Sequence, residues 1–220
     1  MALRVLSWNL FHGRALPPRN ADLRDAFAAR LAAWEWDVAL LQEVPPWWPQ
    51  ALAAATGARE RHALTSRNQL APLRRALAQR HAELIKSGGG GANAILVRGE
   101  IAAHARRRLC LWPERRVVHA VRDGAGRWFA NLHATAHHDA RARRDLALAR
   151  TTALRWAGDA PLVLGGDLNV RDPQVAGFVH AGGHDVDHLF ARGLTVAAAA
   201  EALERGALSD HAPVRVTLAP

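Results

Sequence analysis

The hydrophobic pattern along this chain switches between strand-like alternation and helical period. Leu3 to Trp8 alternates as a strand does, and Val38 to Leu41 is a short apolar run of the kind that forms a buried strand. Between them, Asn20 to Trp34 puts Leu23, Phe27, Leu31 and Trp34 on one helical face, with Asn20 or Asp22 placed to cap it. Pro46 to Ala55 reads as a helix that starts on a proline. Residues 58–87 are polar and arginine-rich and show no clear period, with Pro72 to His81 as a candidate helix. Ala94 to Val97, Ile101 to Leu111 and Val117 to Arg122 are strand candidates, and Asp123-Gly124-Ala125-Gly126 marks a turn into Trp128 to Leu132. This stretch predicts an antiparallel meander.

The longest predicted helix is Asp139 to Ala157, with Leu146, Ala149, Ala153 and Trp156 on one face and Arg141, Arg143, Arg144, Arg150 and Arg155 elsewhere. Leu162 to Gly165 is an apolar strand, Pro173 to Ala181 a short helix, and Leu194 to Ala199 and Val214 to Leu218 late strands. Antiparallel strands mixed with a few helices predict an α/β sandwich. No repeat or linker divides the sequence, so residues 1–220 are expected to form a single domain.

Composition sharpens this only in part. Half the residues are hydrophobic and 22% are charged, a globular rather than a disordered balance. The one cysteine, Cys110, excludes an intrachain disulfide and reads as a small core hydrophobe. No secretory leader precedes the first strand and no run of about 18 apolar residues occurs, so a cytoplasmic monomer without a membrane span is expected. The net charge of +9 would attract polyanions such as nucleic acid. Lys86 is the only lysine, however, and the chain is rich in alanine and arginine throughout. Coding bias explains the charge as well as a nucleic-acid partner does.

The chemistry gathers where apolar strands end. Asn9 follows the first strand, and Gln42 and Glu43 follow the second. His133 ends the strand that begins at Trp128, Asp167 and Asn169 follow Gly165-Gly166, and Asp210 and His211 precede the last strand. Strand ends hold side chains rigidly and can present them into a common cleft. Singly, Glu43, Asp167 and Asp210 read as loop or turn caps, but five such polar strand ends in one chain are hard to explain separately. Carboxylates and amide oxygens are hard ligands that suit Mg²⁺, with Mn²⁺ or Ca²⁺ as alternatives. Zinc would recruit several His or Cys at set spacings, and the pair His137-His138 reads as solvated residues before a helix. A hard cation with two histidines suits hydrolysis of a phosphate ester.

In this order, Ser7-Trp8-Asn9-Leu10, Leu41-Gln42-Glu43-Val44, Asn93-Ala94-Ile95-Leu96-Val97, Asn131-Leu132-His133, Gly165-Gly166-Asp167-Leu168-Asn169, Val186-Asp187-His188-Leu189-Phe190 and Leu208-Ser209-Asp210-His211-Ala212-Pro213-Val214 resemble the motifs of the endonuclease/exonuclease/phosphatase superfamily, the DNase I-like fold. The resemblance implies a four-layer α/β sandwich of two mixed, mainly antiparallel sheets flanked by helices. It implies that Glu43 binds the metal directly, with Asn9 and Asp210 assisting. It also implies that Asp167 handles the attacking water, that Asn169 and His211 contact the phosphoryl group, and that Asp187 holds the His211 ring. His133 resembles a leaving-group acid of the DNase I branch. Asn93 falls in one of the motifs and is a candidate substrate contact. Arg115 or Arg116 is a candidate phosphate contact, although a surface strand arginine is the plainer reading. Trp47 and Trp48 lie just past Glu43, and Trp47 is the candidate for stacking on a base, with helix packing as the alternative. The chain has no tyrosine, so a tyrosine that contacts phosphate in relatives is missing or replaced, and His12 stands near where some nucleases of the family carry a second acid. The chain is also short for the family, so long substrate-embracing loops are expected to be absent.

Two enzymatic readings follow, a metal-dependent nuclease and a phosphatase or phosphodiesterase for a small molecule or lipid head group. A non-catalytic nucleic-acid-binding module fits less well, because binding alone would not need the whole catalytic set.

Overall fold

The computed structural model describes residues 2–66, 70–80, 91–112 and 114–220. In chain order the elements are β1 (Leu3–Asn9), α1 (Arg24–Ala33), β2 (Val38–Val44), α2 (Pro49–Thr56), β3 (Arg59–Thr65), α3 (Ala71–Arg80), β4 (Gly91–Val97), β5 (Ile101–Cys110), β6 (Arg116–Asp123), β7 (Trp128–His133), α4 (Asp139–Ala157), β8 (Leu162–Asp167), β9 (Val179–His184), β10 (Asp187–Arg192), β11 (Thr195–Ala202) and β12 (Val214–Ala219). The strands form two six-stranded sheets, ordered β11-β12-β1-β2-β4-β3 and β5-β6-β7-β8-β10-β9. Each sheet has one parallel pair at its middle, β1 with β2 and β7 with β8, and is otherwise antiparallel. A parallel pair needs a crossover, and α1 and α4 provide the two.

Alternation along the strands builds three apolar layers. Val5, Val38, Leu40, Ile95 and Val97 of the first sheet meet Val121, Phe129, Val163 and Leu189 of the second, forming the core between the sheets. The opposite faces of the same strands are also covered. Leu6, Trp8, Leu41 and Leu96 pack under α1 and α2 against Phe27, Leu31 and Leu52. Leu132, Leu162 and Leu164 pack under α4 against Leu146, Ala149 and Ala153. Strands buried on both faces read as continuous apolar runs, which is the pattern of β2 and β8. The result is the four-layer α/β sandwich that the resemblance implies.

A polar tie crosses the core between the sheets. Asn131 on β7 donates from Nδ2 to the carbonyls of Leu41 and Ala94, both at 2.9 Å, and its Oδ1 accepts from Gln42 Nε2 at 2.8 Å. Leu41 and Ala94 face each other at the point where the β2–β4 register shifts, the next matched pair being Val44 with Ala92. Asn131 therefore satisfies the ladder where it opens.

Several expectations are corrected. Pro173 to Ala181 is not a helix: Gly177 takes a left-handed φ of 81°, and Val179 onward pairs with β10 as a strand. Helix α1 begins at Arg24 rather than near Asn20, with Asp22 Oδ1 accepting the Arg24 N–H, and α2 begins at Pro49 rather than Pro46. Residues 59–65, unresolved by pattern, form edge strand β3. Cys110 is half-buried, its Sγ against the Glu114 carbonyl, and is not a core residue. Helix α3 lies where one was expected, while His81, Lys86 and Gly88 to Gly90 fall outside the described residues. No helix among the described residues is long and apolar enough to cross a membrane.

Replacing Asn131 with Ala leaves two strand carbonyls and the Gln42 amide without their buried partner. Each such loss costs about 1–3 kcal/mol. Asn131→Ala is therefore expected to lower stability by about 3 kcal/mol, and urea denaturation followed by circular dichroism will read this as a midpoint lower by about 1 M.

Candidate active site

Strand register brings the chemistry to one end of the sandwich. Asn9, the last residue of β1, pairs with Gln42 of β2, and His133, the last of β7, pairs with Asp167, the last of β8. Asp187 opens β10 and pairs with Asp167 from the other side. Arg116 opens β6, which runs antiparallel to β7, so it too lies at this end. The two parallel pairs thus point their carboxyl ends at one crevice, the position where open α/β sheets bind ligands.

Local backbone geometry aims the side chains. Glu43 sits at the β2–β4 register shift with φ of 50°, and the bulge turns its carboxylate out of the ladder toward the crevice. Asn169 also holds φ of 50°; its N–H donates to Asp167 Oδ1 at 3.1 Å and its Nδ2 to the Ala134 carbonyl at 3.2 Å. Ser209, at φ of 64°, donates from Oγ to the Asn9 carbonyl at 2.7 Å and accepts the His211 N–H at 3.0 Å. This pins the loop before β12 to the end of β1. Left-handed backbone at non-glycine residues is costly and collects at functional sites, and His12, Ser66 and His137 add three more instances on the wall of the same cleft.

Gly166 is required by a close approach of two strands. A Cβ there would stand 2.0 Å from the Leu132 carbonyl oxygen, at φ of 132°. The glycine lets β8 pass close to β7 and so sets the position of Asp167.

Asp167 is the hub of the site. Its Oδ2 accepts from Asn9 Nδ2 at 2.9 Å and lies 3.4 Å from His133 Nε2 and 4.0 Å from His211 Nε2. His211 Nδ1 bonds Asp187 Oδ2 at 2.6 Å, and its Nε2 is 3.8 Å from Asp210 Oδ1. On the other side of Asp167, Glu43 Oε1 lies 3.8 Å from His133 Nε2, and Glu43 Oε2 lies 3.0 Å from His12 Nε2. A cleft of about 370 Å³ opens on the Glu43 and His133 side of this group, with His12, Arg116, Thr135 and His137 also among its walls. Asp210 stands exposed at the rim.

The electrostatics follow from burial. Burial lowers His12 to about 4 and holds His133 well below its ordinary value, with the Arg116 charge acting in the same direction on His133. Burial raises Glu43 to about 7, only partly offset by His211, and it raises Asp167 against the pull of His211 and Asn9. Burial opposes charge on His211 as well, but the bond and charge of Asp187, with Asp167 and Asp210 behind it, raise that imidazole to about 9. Burial pushes Asp187 up, and its bond from His211 pulls it back down.

These groups also test the fit of a cation. Both histidines beside Glu43 are neutral, so the carboxylate is desolvated with no positive partner within ion-pair distance. A carboxylate in that state stays ionised only if a cation joins it. Asn9 hydrogen-bonds Glu43, and the negative charge of Asp210 reaches it. The surrounding donors are hard oxygens and fit Mg²⁺ or a similar ion. Asp167, Asp187 and His211 also offer ligand atoms within 4.8 Å of one another. His211 is held protonated there by Asp187, however, and an imidazolium has no lone pair to give a metal. That trio fits a charge pair facing a carboxylate better than a ligand shell.

Two of the expected substrate contacts lie away from the cleft. Asn93 is fully buried, its Nδ2 3.5 Å from the Val117 carbonyl. Trp47 packs half-buried against the core under α1 and α2, and Trp48 is buried there with its ring 5.5 Å from Phe27. Arg116 lies inside the cleft with 4% exposure, paired with Glu114 at 2.9 Å, and is not a surface strand arginine. The role of His12 as the partner of Glu43 had no signal in the pattern, because it depends on a left-handed turn after β1. Thr135 and Gln42 were likewise legible only through their neighbours.

The profile of the endonuclease/exonuclease/phosphatase family matches residues 6–211. The structure is similar to that of an endonuclease/exonuclease/phosphatase from Beutenbergia cavernae, at 21% identity and TM-score 0.72, over 99% of this chain and 71% of that one. It is similar to D. rerio TDP2 complexed with single strand DNA product, at 16% identity and TM-score 0.73, over 100% of this chain and 99% of that one. It is similar also to a functionally unknown conserved protein from Enterococcus faecalis, at 15% identity and TM-score 0.73, over 99% of both chains. At these identities the likenesses show the fold alone. No curated protein matches the sequence.

Asp187 is the main group favouring the proton on His211. Asp187→Asn is therefore expected to bring the His211 pKa down from about 9, because burial is then opposed only by Asp167 and Asp210. Long-range ¹H–¹⁵N NMR titration of the imidazole nitrogens measures this. An unchanged midpoint would rule out Asp187 as the cause.

Proposed function

This chain belongs to the endonuclease/exonuclease/phosphatase family, and on that premise we propose that it is a divalent-metal-dependent hydrolase of phosphodiester bonds that acts on nucleic acid. The observation that carries the reading is the environment of Asp167. One oxygen of this buried carboxylate is met by Asn9, His133 and His211 from three different elements, with Glu43 beyond.

Glu43 would hold the ion, with Asn9 and Asp210 beside it. When bound, the ion would supply positive charge that offsets the negative charge on the phosphoryl oxygens and so lowers the barrier to attack of water at phosphorus. Asp167, oriented by Asn9 and by the Asn169 N–H, accepts the proton of the attacking water. His211, kept charged by Asp187, donates from Nε2 to a phosphoryl oxygen, and Asn169 lies beside it to contact the same group. Arg116 supplies a further fixed positive charge in the cleft. Burial disfavours charge on His133; the negative charge of a bound phosphodiester would favour the protonated ring, from which the leaving oxygen would take its proton.

Support for a nucleic-acid substrate comes from the net charge of +9, from Arg116 inside the cleft, and from the single strand DNA product held by D. rerio TDP2. The size of the cleft supports a second reading. About 370 Å³ suits a single nucleotide-sized group, which a small phosphoester would also fill.

Plasmid nicking, oligonucleotide cleavage and hydrolysis of bis(p-nitrophenyl) phosphate, each with Mg²⁺ and with EDTA, test the proposal. Expected are cleavage of nucleic acid with Mg²⁺ and none with EDTA. Asp167→Ala should reduce turnover by roughly 10²–10⁴-fold, and Glu43→Gln should raise the Mg²⁺ concentration needed for half-maximal rate. Intact DNA and RNA alongside hydrolysis of the small diester would overturn the nucleic-acid reading in favour of the second.

A further inference from the structure

A second groove adjoins the catalytic cleft. It encloses about 210 Å³ and is lined by Trp112, Arg141, Arg144 and Asp145, together with Leu109 and Cys110 at the end of β5. Thr135 lines both spaces. Cys110 of the groove is also the register partner of Arg116 of the cleft, so the two sites share a wall on adjacent strands.

Three features set this groove apart. Trp112 is 72% exposed although it is the largest kind of apolar side chain. Arg141 and Arg144 are exposed and make no ion pair among the described residues, whereas Arg143 beside them is tied to Asp139. Arg141 also lies in the first turn of α4, the end at which a helix dipole disfavours a cation, so helix stability does not account for it. The only acid lining the groove, Asp145, is buried and already accepts from the Thr135 N–H at 2.9 Å and the Thr135 Oγ1 at 2.6 Å. The groove is therefore cationic on one side and aromatic on the other.

From this juxtaposition we propose that the groove is a subsite for single-stranded nucleic acid, in which one unpaired base stacks on Trp112 and the adjoining phosphates lie against Arg141 and Arg144. The inference deepens the nucleic-acid reading above and rests on it. An aromatic face beside a cationic track is the recurring solution for binding single strands, because every base has a stackable face and every linkage a charge. A duplex fits poorly, since its bases are stacked on each other and present only edges. The volume of the groove admits one base, not a base pair, and the shared Thr135 wall makes the strand continuous with the cleft beside Glu43 and Arg116.

Fluorescence anisotropy in EDTA, where nothing is cleaved, tests the subsite with labelled oligo-dT, oligo-U and a duplex of equal length. Trp112→Ala is expected to weaken both single strands about tenfold and to leave the duplex nearly unchanged, while Trp112→Phe keeps most of the affinity. Equal losses on oligo-dT and oligo-U place the subsite on the shared chemistry of base and phosphate, and a loss confined to one assigns it to that sugar type. Arg141→Ala with Arg144→Ala should reduce the slope of log affinity against log salt by about 1.4. Thermal melts confirm that each variant is folded. Unchanged single-strand affinity in Trp112→Ala, or an equal loss on the duplex, overturns the subsite. The two proposals fail separately. Trp112-dependent binding by a wild-type protein that cleaves no nucleic acid removes the nuclease reading and keeps the groove, and Mg²⁺-dependent cleavage with Trp112→Ala binding as wild type does the reverse.

Discussion

Much of this structure depends on one buried amide. Asn131 reaches from the second sheet to two carbonyls of the first and takes the Gln42 side chain in return. Apolar contact between sheets is non-directional and tolerates sliding, whereas three hydrogen bonds in a dry core fix one register. That register decides function, because Asn131 lies two residues from His133 and Gln42 lies next to Glu43. A slip between the sheets would separate His133 from Glu43, whereas Asp167, its register partner within the second sheet, would move with it. The same tie covers the place where β2 and β4 lose register, so the Leu41 and Ala94 carbonyls stay bonded beside the bulge that aims Glu43.

Three carboxylates, Glu43, Asp167 and Asp187, are packed behind the cleft where burial raises all of them. Such an arrangement is stable only if positive charge is close. His211 supplies one charge, held by Asp187 at 2.6 Å, while the Arg116 charge nearby is already paired with Glu114 at 2.9 Å. The neutral His12 and His133 supply none at Glu43, and a bound cation would complete that end of the site. The molecule therefore divides its charge balance in two, with a permanent imidazolium on the Asp187 side and an exchangeable ion on the Glu43 side, and Asp167 stands between them.

The sequence made most of this end legible because strand ends are local features. Asn9, His133 and Asp167 each terminate an apolar run, and register then places them together without further information. The parts that were not legible are long-range. Strand β3 is polar on its exposed side and lies at a sheet edge, so its pattern resembles a loop. Strand β9 holds Gly182 and Gly183 and little apolar surface, and Pro173 with Val175 and Phe178 imitated a helical period until Gly177 broke it. Arg116 begins an ordinary-looking strand, and only the antiparallel pairing with β7 turns it into the cleft. Asn93 sits in a family motif, but its side chain faces β6 and is shielded, and the Trp47-Trp48 pair serves the α1–α2 layer.

On the proposed reading, catalysis and substrate choice reside in different parts of the fold. The catalytic groups stand on inner strands whose ladders, glycines and buried amides permit little displacement; a Cβ at Gly166 alone would collide with the β7 backbone. The groove around Trp112 is built from an edge strand and the exposed flank of α4, where a changed side chain at Arg141 or Arg144 meets solvent. Large changes there leave the register of β7 and β8 intact, while even small ones at the strand ends shift Asp167. A fold organised in this way can keep one reaction and exchange its substrates, which is the division expected when chemistry is fixed by strand register and recognition is carried by the periphery.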